Sequence, residues 1–244
     1  MALWGLGMHP LDNPIFNALG TCQANFVETY GVLRRFPPKV TPLGGFPEPN
    51  AEGFAAVRGL LAAGGGLGLF LPKRMGATEG LEIVLDGDLL QMILENDVRL
   101  EPNRKSYDFI ELGEADVTEM VELATLTKPG PFDTRTREMG TYLGKRKDGK
   151  LVAMAGERLK LPGYTEISAV CTHPDHLGHG YAGFLMTILA ERIRERGETP
   201  ILHVRAENAR AVQLYERLGF RRRLLSYFAV FRAVAERSSA KARD

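Results

Sequence analysis

The chain has 244 residues, of which 44% are hydrophobic and 25% are charged, so its composition is that of a globular protein with a sizeable core. Its formal net charge of +1 gives no general reason to expect nucleic acid or an anionic membrane as a partner. No apolar run approaches the roughly 18 residues of a membrane span. The N-terminal residues lack the basic segment of a signal peptide. Cys22 and Cys171 are too few for a disulfide framework, so we expect a cytoplasmic protein.

Residues 1–104 contain many prolines and glycines, which predict short elements separated by turns. The stretch LDNPIFNAL predicts a helix with Asn13 as its N-cap and proline at its first position. Asn50 is expected to cap a second helix that ends at a run of glycines. Two short strands are predicted around a turn at Asp86–Gly87, with a helix over 89–94 as the alternative for the second one.

A different pattern begins near residue 105, where predicted strands and helices follow in the order β-α-α-β-β-β-α-β-α-β. Asp148–Gly149 separates two of these strands and predicts a tight hairpin. Helices are predicted from about Gly180 to Arg196 and again from Ala209 to Leu218. This alternation predicts an α/β fold, with a mixed sheet that carries helices on its faces.

The segment HPDHLGHGYAGFL connects a predicted strand to a predicted helix and allows three interpretations. His173, His176 and His179 are spaced by three, but they lie in a loop rather than on a regular element, so we expect no metal site. Gly178 and Gly180 allow a positive φ and the close approach of an anion to the start of the helix. From these residues alone, an anion cradle and a plain turn that needs glycine are equally supported.

A second motif, VRAENARAVQLYERLGF, follows downstream. Together with VCTHPDHLGHGYAGFL it resembles the GNAT superfamily of N-acetyltransferases, in the branch that includes glycine N-acyltransferase-like domains. The resemblance covers roughly residues 105 to 233. It implies a GNAT acyl-CoA N-acyltransferase fold over residues 105–244, preceded by an N-terminal extension over residues 1–104. Whether that extension is a degenerate copy of part of the same fold stays open.

The resemblance implies acetyl-CoA as the acyl donor. In this family a turn of the form Arg/Gln-x-x-Gly-x-Gly/Ala binds the pyrophosphate, and it maps onto Leu177, Gly178, His179, Gly180, Tyr181 and Ala182. Leu177 replaces the usual Arg or Gln, which is expected to weaken binding without abolishing it because main-chain N–H groups make most of the contacts. By the same resemblance, the pantetheine arm would lie along Val170, Cys171 and Thr172, and Asn208 would contact the coenzyme.

The resemblance also implies the catalytic groups. Tyr215 corresponds to the tyrosine that protonates the departing thiolate. Without the family motif, the local sequence would indicate a tyrosine of the hydrophobic core. The general base is either Glu166, which we favour, or His203, whose imidazole suits a base at neutral pH. Each of them is otherwise an ordinary polar side chain on a strand. Cys171 is not expected to be a nucleophile, because no base is paired with it in the sequence.

We therefore expect an enzyme that moves an acetyl group from acetyl-CoA to a primary amine, by direct attack in a ternary complex and without a metal. The acceptor would be a small molecule or a peptide, and a homodimer is an open expectation. The alternative is a regulatory module that binds acyl-CoA with little or no turnover. Leu177 favours that alternative, whereas the presence of both Glu166 and Tyr215 favours the enzyme.

Overall fold

The structure is a computed structural model and describes residues 9–76, 78–95 and 108–234. Within these ranges, eleven strands form one mixed sheet in the order β1-β2-β3-β4-β11-β5-β10-β9-β8-β7-β6. The strands are β1 (Glu28–Tyr30), β2 (Leu33–Arg35), β3 (Leu43–Gly45), β4 (Leu67–Leu71), β5 (Leu81–Ile93), β6 (Ile110–Glu111), β7 (Tyr142–Lys147), β8 (Lys150–Leu161), β9 (Tyr164–Thr172), β10 (Thr199–Arg205) and β11 (Arg221–Ala233). The helices are α1 (Pro14–Gly20), α2 (Ala51–Leu61), α3 (Val117–Thr127), α4 (Tyr181–Glu195) and α5 (Ala209–Arg217).

The second part of the chain has the predicted α/β character. The order of its elements is as expected, except that the second predicted helix is a short 3-10 helix, Thr136–Met139. Asp148 and Gly149 both adopt positive φ, at 50° and 79°, as a two-residue hairpin between β7 and β8 requires. In the described ranges no helix combines the length and the apolar character needed to cross a membrane.

Strand β5 joins the two parts of the chain. It pairs antiparallel with both β10 and β11, so a strand from residues 1–104 lies inside the sheet formed by the second part. The predicted turn at Asp86–Gly87 is wrong, and so is the helical alternative for 89–94. Asp86 and Gly87 lie in one uninterrupted strand and pair with β11, and residues 89–93 pair with β10 on the other side as well, which satisfies their backbone groups. The predicted boundary at residue 104 lies outside the described residues.

The two predicted N-caps have different outcomes. Asn50 accepts a hydrogen bond from the Gly53 amide at 3.0 Å and caps α2 as expected. Asn13 precedes α1, but its side chain makes no capping hydrogen bond and instead donates to the Phe46 carbonyl at 2.8 Å. Asn13 therefore ties the start of α1 to the loop after β3 rather than satisfying the N–H groups of the helix.

Helix α4 packs on the strands that form the site. Its predicted apolar face is buried: Leu185 and Leu189 are fully enclosed, Phe184 is 7% exposed, and Ile188 packs at the margin. Truncating one of the enclosed leucines to alanine costs about 2–5 kcal/mol. On another part of the sheet, Leu11 and Ile15 share a cluster with Leu159 and Ile201, so the N-terminal helices cover strands of the second part.

The parallel strands β9 and β10 pair only over their first residues, ending at Glu166 and Ile201. Beyond that point β10 continues through Arg205 against β5 alone. Strand β9 instead bulges at Ala169, whose φ of 52° is left-handed, and its register with β8 shifts there. The two strands therefore separate, and the edge of β9 is left open towards a gap.

Candidate active site

The gap between β9 and β10 opens into a cavity of about 1050 Å³. Every residue assigned to the site from the sequence lies on its wall except Glu166 and His179. The predicted residues on the wall are Val170, Cys171, Thr172, Leu177, Gly178, Gly180, Tyr181, Ala182, His203, Asn208 and Tyr215. The splayed strands thus bring together residues that lie up to 45 positions apart along the chain.

One end of the cavity is formed by the glycine-rich turn and the first turn of α4. Gly178 and Gly180 adopt left-handed φ values of 80° and 90°, and Gly180 is the N-cap of the helix. A side chain at Gly178 would meet no atom within 4 Å, so glycine is needed there for the backbone conformation rather than for space. The first helical turn faces the cavity with the positive end of the helix dipole. This arrangement suits the binding of an anion.

The three loop histidines lie in and beside the turn that precedes α4. Within the described ranges, no group of three or more His, Cys, Asp or Glu side chains is placed to hold a metal ion. The His173 imidazole accepts a hydrogen bond from the Asp175 amide and thereby shapes the turn. His179 stacks on Tyr181 with 13° between their planes and is not part of the cavity wall. Leu177, at the position where the family has Arg or Gln, is 45% exposed on the wall.

The open edge of β9 forms the middle of the cavity. Burial raises the pKa of the Cys171 thiol to about 11, so it is protonated near neutral pH and is a poor nucleophile. The Thr172 hydroxyl is buried at the wall and has no hydrogen-bond partner within the described residues. Because of the bulge at Ala169, the backbone from Ser168 to Thr172 runs along the cavity instead of pairing with β10.

Helix α5 closes the other side of this cleft. Tyr215 is 8% exposed at the wall, and burial raises the pKa of its hydroxyl to about 12. The phenol therefore keeps its proton across the physiological range and is suited to donate it. Asn208 caps α5, because its Oδ1 accepts a hydrogen bond from the Ala211 amide at 3.1 Å. Its contact with a coenzyme stays a prediction.

Glu166 lies below the cavity and is fully buried. Arg158 donates to it from Nε at 2.8 Å and from Nη2 at 2.7 Å, and His203 Nδ1 lies 2.7 Å from its Oε1. Burial by itself would raise the pKa of Glu166, but Arg158 and the hydrogen bonds hold it well below its ordinary value. A carboxylate with these contacts is a weak proton acceptor, which disfavours the expected role of Glu166 as general base.

His203 is held on both ring nitrogens. Its Nε2 lies 2.9 Å from Nε2 of Gln91, an amide whose orientation is fixed by two further hydrogen bonds. Gln91 donates to the Leu11 carbonyl at 2.8 Å and accepts from Arg223 at 2.7 Å. Because the amide nitrogen can only donate, His203 Nε2 must be an acceptor, and Nδ1 carries the proton towards Glu166.

Several wall residues were not identified from the sequence. Arg158 and the cationic residues Lys128, Arg205, Arg210 and Arg217 line the cavity. Apolar side chains from distant strands, among them Phe70 and Phe228, form the wall beside His203. Arg205, Arg210 and Arg217 lie in the motif VRAENARAVQLYERLGF, but the motif assigns them no role. No motif contains Phe70, Arg158 or Phe228, because β4, β8 and β11 bring them to the cavity through pairing at long range in the sequence.

The comparisons with known proteins agree with this geometry. A family model described as FR47-like protein matches residues 142–229, which include β9, the turn, α4 and α5. A solved structure from Novosphingobium aromaticivorans, described as an acetyltransferase of the GNAT family, is 36% identical. The match covers 93% of this chain and 100% of that one, with a TM-score of 0.85.

Two further relatives carry less weight. A GCN5-related N-acetyltransferase from Kribbella flavida has a TM-score of 0.60 at 17% identity, over 87% of this chain and 95% of that one, and supports the fold alone. A mycothiol acetyltransferase from Brachybacterium faecium is 39% identical over 79 residues, which are 30% of this chain and 24% of that relative. The chain thus matches about a quarter of that curated relative. On the strength of the match over the full length of the Novosphingobium structure, the chain belongs to the GNAT family and is an acyl-CoA-dependent N-acetyltransferase.

Proposed function

We propose that this enzyme transfers an acetyl group from acetyl-CoA to a primary amine by direct attack in a ternary complex. The observation that carries this proposal is the joint placement of three features on one cavity wall. These are the left-handed glycine turn, the unpaired edge of β9 and the protonated phenol of Tyr215. An anion site, an amide-binding edge and a proton donor are the groups that acetyl transfer from acetyl-CoA requires.

The coenzyme would bind from the turn inward. Main-chain N–H groups around Gly178 and Gly180 suit the pyrophosphate, and the open edge of β9 suits the amides of the pantetheine arm. Arg210 and Arg217 line the same cavity and form no ion pair within the described residues, so they are available to phosphate groups. Leu177 contributes no charge, so the main-chain N–H groups of the turn would make the phosphate contacts that Arg or Gln makes at this position in the family.

At the reacting centre, the chain's own groups have distinct tasks. An N–H near Val170, on the open edge beside the bulge, would stabilise negative charge that develops on the thioester oxygen. Tyr215 would donate its proton to the departing sulfur. Cys171 takes no covalent part, because its thiol remains protonated.

For the proton on the amine, we propose that Glu166 does not remove it but orients Arg158 and His203. The charge of Glu166 is neutralised by Arg158, and the Nε2 lone pair of His203 is engaged by Gln91. The cationic side chains on the wall would lower the pKa of a bound amine, so that the ammonium loses its first proton to solvent water and attacks as the neutral amine. As the C–N bond forms and the C–S bond breaks, Tyr215 would give its proton to the sulfur, and the second proton of the nitrogen would pass through water and restore the phenol.

The alternative function is an acyl-CoA-binding module with little turnover, which the uncharged Leu177 favours. Thiol release from acetyl-CoA, measured with a panel of amines, separates the two. Amine-dependent release together with mass-spectrometric detection of the N-acetyl product supports the enzyme. Binding of acetyl-CoA in calorimetry without release for any amine supports the module. A place in the glycine N-acyltransferase-like branch, a cytoplasmic location and a homodimer stay predictions.

A further inference from the structure

The acceptor end of the cavity follows from the direction of β9. The predicted arm runs from the turn at Gly178 along β9 towards Ser168, which brings the thioester to the point where β9 and β10 separate. Beyond that point the wall is formed by Arg158, His203 and the ring of Phe70. An acceptor must therefore lie against these side chains if the proposed function holds.

Arg158 is 6% exposed, and only part of its guanidinium is occupied. Of the five N–H bonds of an arginine, the one on Nε and one on Nη2 are used by Glu166. Within the described residues the hydrogen bonds of the Arg158 guanidinium come from Nε and Nη2 and none from Nη1, and Arg158 lines the cavity. The free edge formed by Nη1 and Nη2 has the geometry that binds a carboxylate through two parallel hydrogen bonds. Glu166 holds this edge in place.

The charges on the wall point to the same class of acceptor. Among the described residues that line the cavity, the charged side chains are Lys128, Arg158, Arg205, Arg210 and Arg217, and none is a carboxylate. Arg158 and Arg205 are each paired with a carboxylate that does not line the cavity, Glu166 and Glu207, while Lys128, Arg210 and Arg217 form no ion pair within the described residues. A di- or polycationic amine would therefore find no anionic partner on the wall and would be repelled by the unpaired cations. An amine that carries its own carboxylate enters without net charge and supplies the partner that the free edge of Arg158 lacks.

The rest of the acceptor end is apolar. Phe70 contacts both His203 and Phe228, with ring centroids 4.8 Å and 5.9 Å apart, and Leu43 and Leu89 extend this wall. A small acceptor such as glycine would leave the surface unfilled, whereas a hydrophobic side chain would be buried against it at about 25 cal/mol per Å².

We propose that the acceptor is an amine bearing both a carboxylate and an apolar group, as in a hydrophobic α-amino acid, and that Arg158 binds the carboxylate. This inference rests on the proposed acetyl transfer and specifies its substrate class. The amine would then lie between the carboxylate anchor and the thioester, with the apolar group against Phe70 and Phe228.

The test compares acceptors that differ in one group. With acetyl-CoA saturating, kcat/KM is measured for L-phenylalanine, L-phenylalanine amide, phenethylamine, glycine and spermidine. We expect L-phenylalanine to exceed both its amide and phenethylamine by about 10- to 100-fold, because each analogue leaves the buried guanidinium edge unpaired. Calorimetry of the same compounds with the enzyme–coenzyme A complex gives a readout that does not depend on turnover, and the same order of affinity is expected.

Arg158→Lys is the matching variant, because it keeps a positive charge beside Glu166 but removes the planar free edge. The preference for L-phenylalanine over its amide should fall to within about 3-fold in this variant. Lys128→Gln, which removes another cation from the wall, should keep the preference. If Arg158→Lys does not fold, the comparison of acceptors with the unaltered enzyme still tests whether a carboxylate on the acceptor is required.

The outcomes separate this inference from the proposed function. Acetylation of the amide, phenethylamine or spermidine as efficiently as L-phenylalanine would overturn the carboxylate anchor and leave amine acetylation standing. A strong preference that survives Arg158→Lys would also overturn it. Coenzyme A binding with neither binding nor turnover of any of these acceptors would overturn both.

Discussion

Glu166 and His203 meet where β9 and β10 begin to separate, with 2.7 Å between Oε1 of the carboxylate and Nδ1 of the imidazole. Arg158 satisfies the other side of the carboxylate, and Gln91 holds the second nitrogen of the imidazole. Two groups that the family resemblance suggests as proton acceptors are thus each engaged in a buried network. The network ends at Arg158, whose free edge belongs to the cavity.

The first prediction concerns the stability provided by this network. Glu166→Gln leaves Arg158 with an uncompensated buried charge, so we expect the free energy of unfolding at pH 7 to fall by about 3–5 kcal/mol. The native state holds the pKa of Glu166 below its unfolded value. Its contribution is therefore present above the unfolded pKa and is lost as pH falls through the lowered native pKa. Urea unfolding at several pH values measures the difference.

Glu28→Gln is the control for this variant, because Glu28 also pairs with an arginine, Arg35, but is exposed. It should change stability by less than about 1 kcal/mol. Equal losses in the two variants, or a loss in Glu166→Gln that is unchanged at low pH, would contradict the account of Glu166. The activity of folded Glu166→Gln adds a second measurement. If Glu166 only positions its neighbours, the pH at which kcat/KM falls on the acid side should be the same in this variant as in the unaltered enzyme.

The second prediction concerns the proton donor. Tyr215→Phe should lower kcat by about 100-fold or more while acetyl-CoA affinity changes little. Since the Tyr215 pKa is about 12, ionisation of this group should cause no loss of activity up to pH 10 in the unaltered enzyme. Steady-state rates and calorimetry measure the two effects.

Tyr142→Phe provides a matched control, because Tyr142 is also a buried tyrosine with a raised pKa. Its hydroxyl has no hydrogen-bond partner within the described residues, and it does not line the cavity. We expect its kcat to stay near that of the unaltered enzyme. Weakened acetyl-CoA binding with an unchanged rate in Tyr215→Phe would rule out the acid role.

The third prediction tests the anion cradle at Gly180. Any side chain there is strained, because φ is 90°, so a variant must be compared with one that carries the same strain. Asn and Asp have the same shape, and both tolerate left-handed φ better than most residues. Gly180→Asp should therefore bind acetyl-CoA at least about 10-fold more weakly than Gly180→Asn, through charge repulsion alone. Equal affinities in calorimetry would argue against a pyrophosphate at this turn.

Local patterns predicted the residues of the turn, of β9 and of α5 on the cavity wall, but not the rest of the wall or the network behind it. The glycine turn, the Asn208 cap and Tyr215 lie in short motifs, and the structure brings them together. Glu166 and Ser168 are two residues apart on β9, so strand alternation places them on one face, yet only Ser168 lines the cavity. The burial of Glu166 depends on Arg158 across the β8–β9 hairpin, and no pattern in the sequence signals that pairing.

Contacts at long range also explain the error at β5. Asp86–Gly87 has the composition of a turn, and local reasoning cannot show that a distant strand pairs with both residues. That strand, β11, lies more than a hundred residues further along the chain, as does β10, which pairs with residues 89–93. Gln91, on the same strand, reaches His203 for the same reason, and so its part in the network could not be inferred from the sequence.

The last prediction returns to Leu177. This side chain is 45% exposed on the cavity wall, at the position where relatives carry Arg or Gln, so a longer polar side chain can be placed there without strain. Leu177→Arg should tighten acetyl-CoA binding by about 2- to 5-fold at low ionic strength, and the gain should shrink with added salt because the site is open to solvent. Leu177→Met, which changes shape without adding charge, should leave the affinity as it is. A gain of the same size in both variants, or one that does not respond to salt, would mean that the missing charge is not what limits coenzyme binding at this turn.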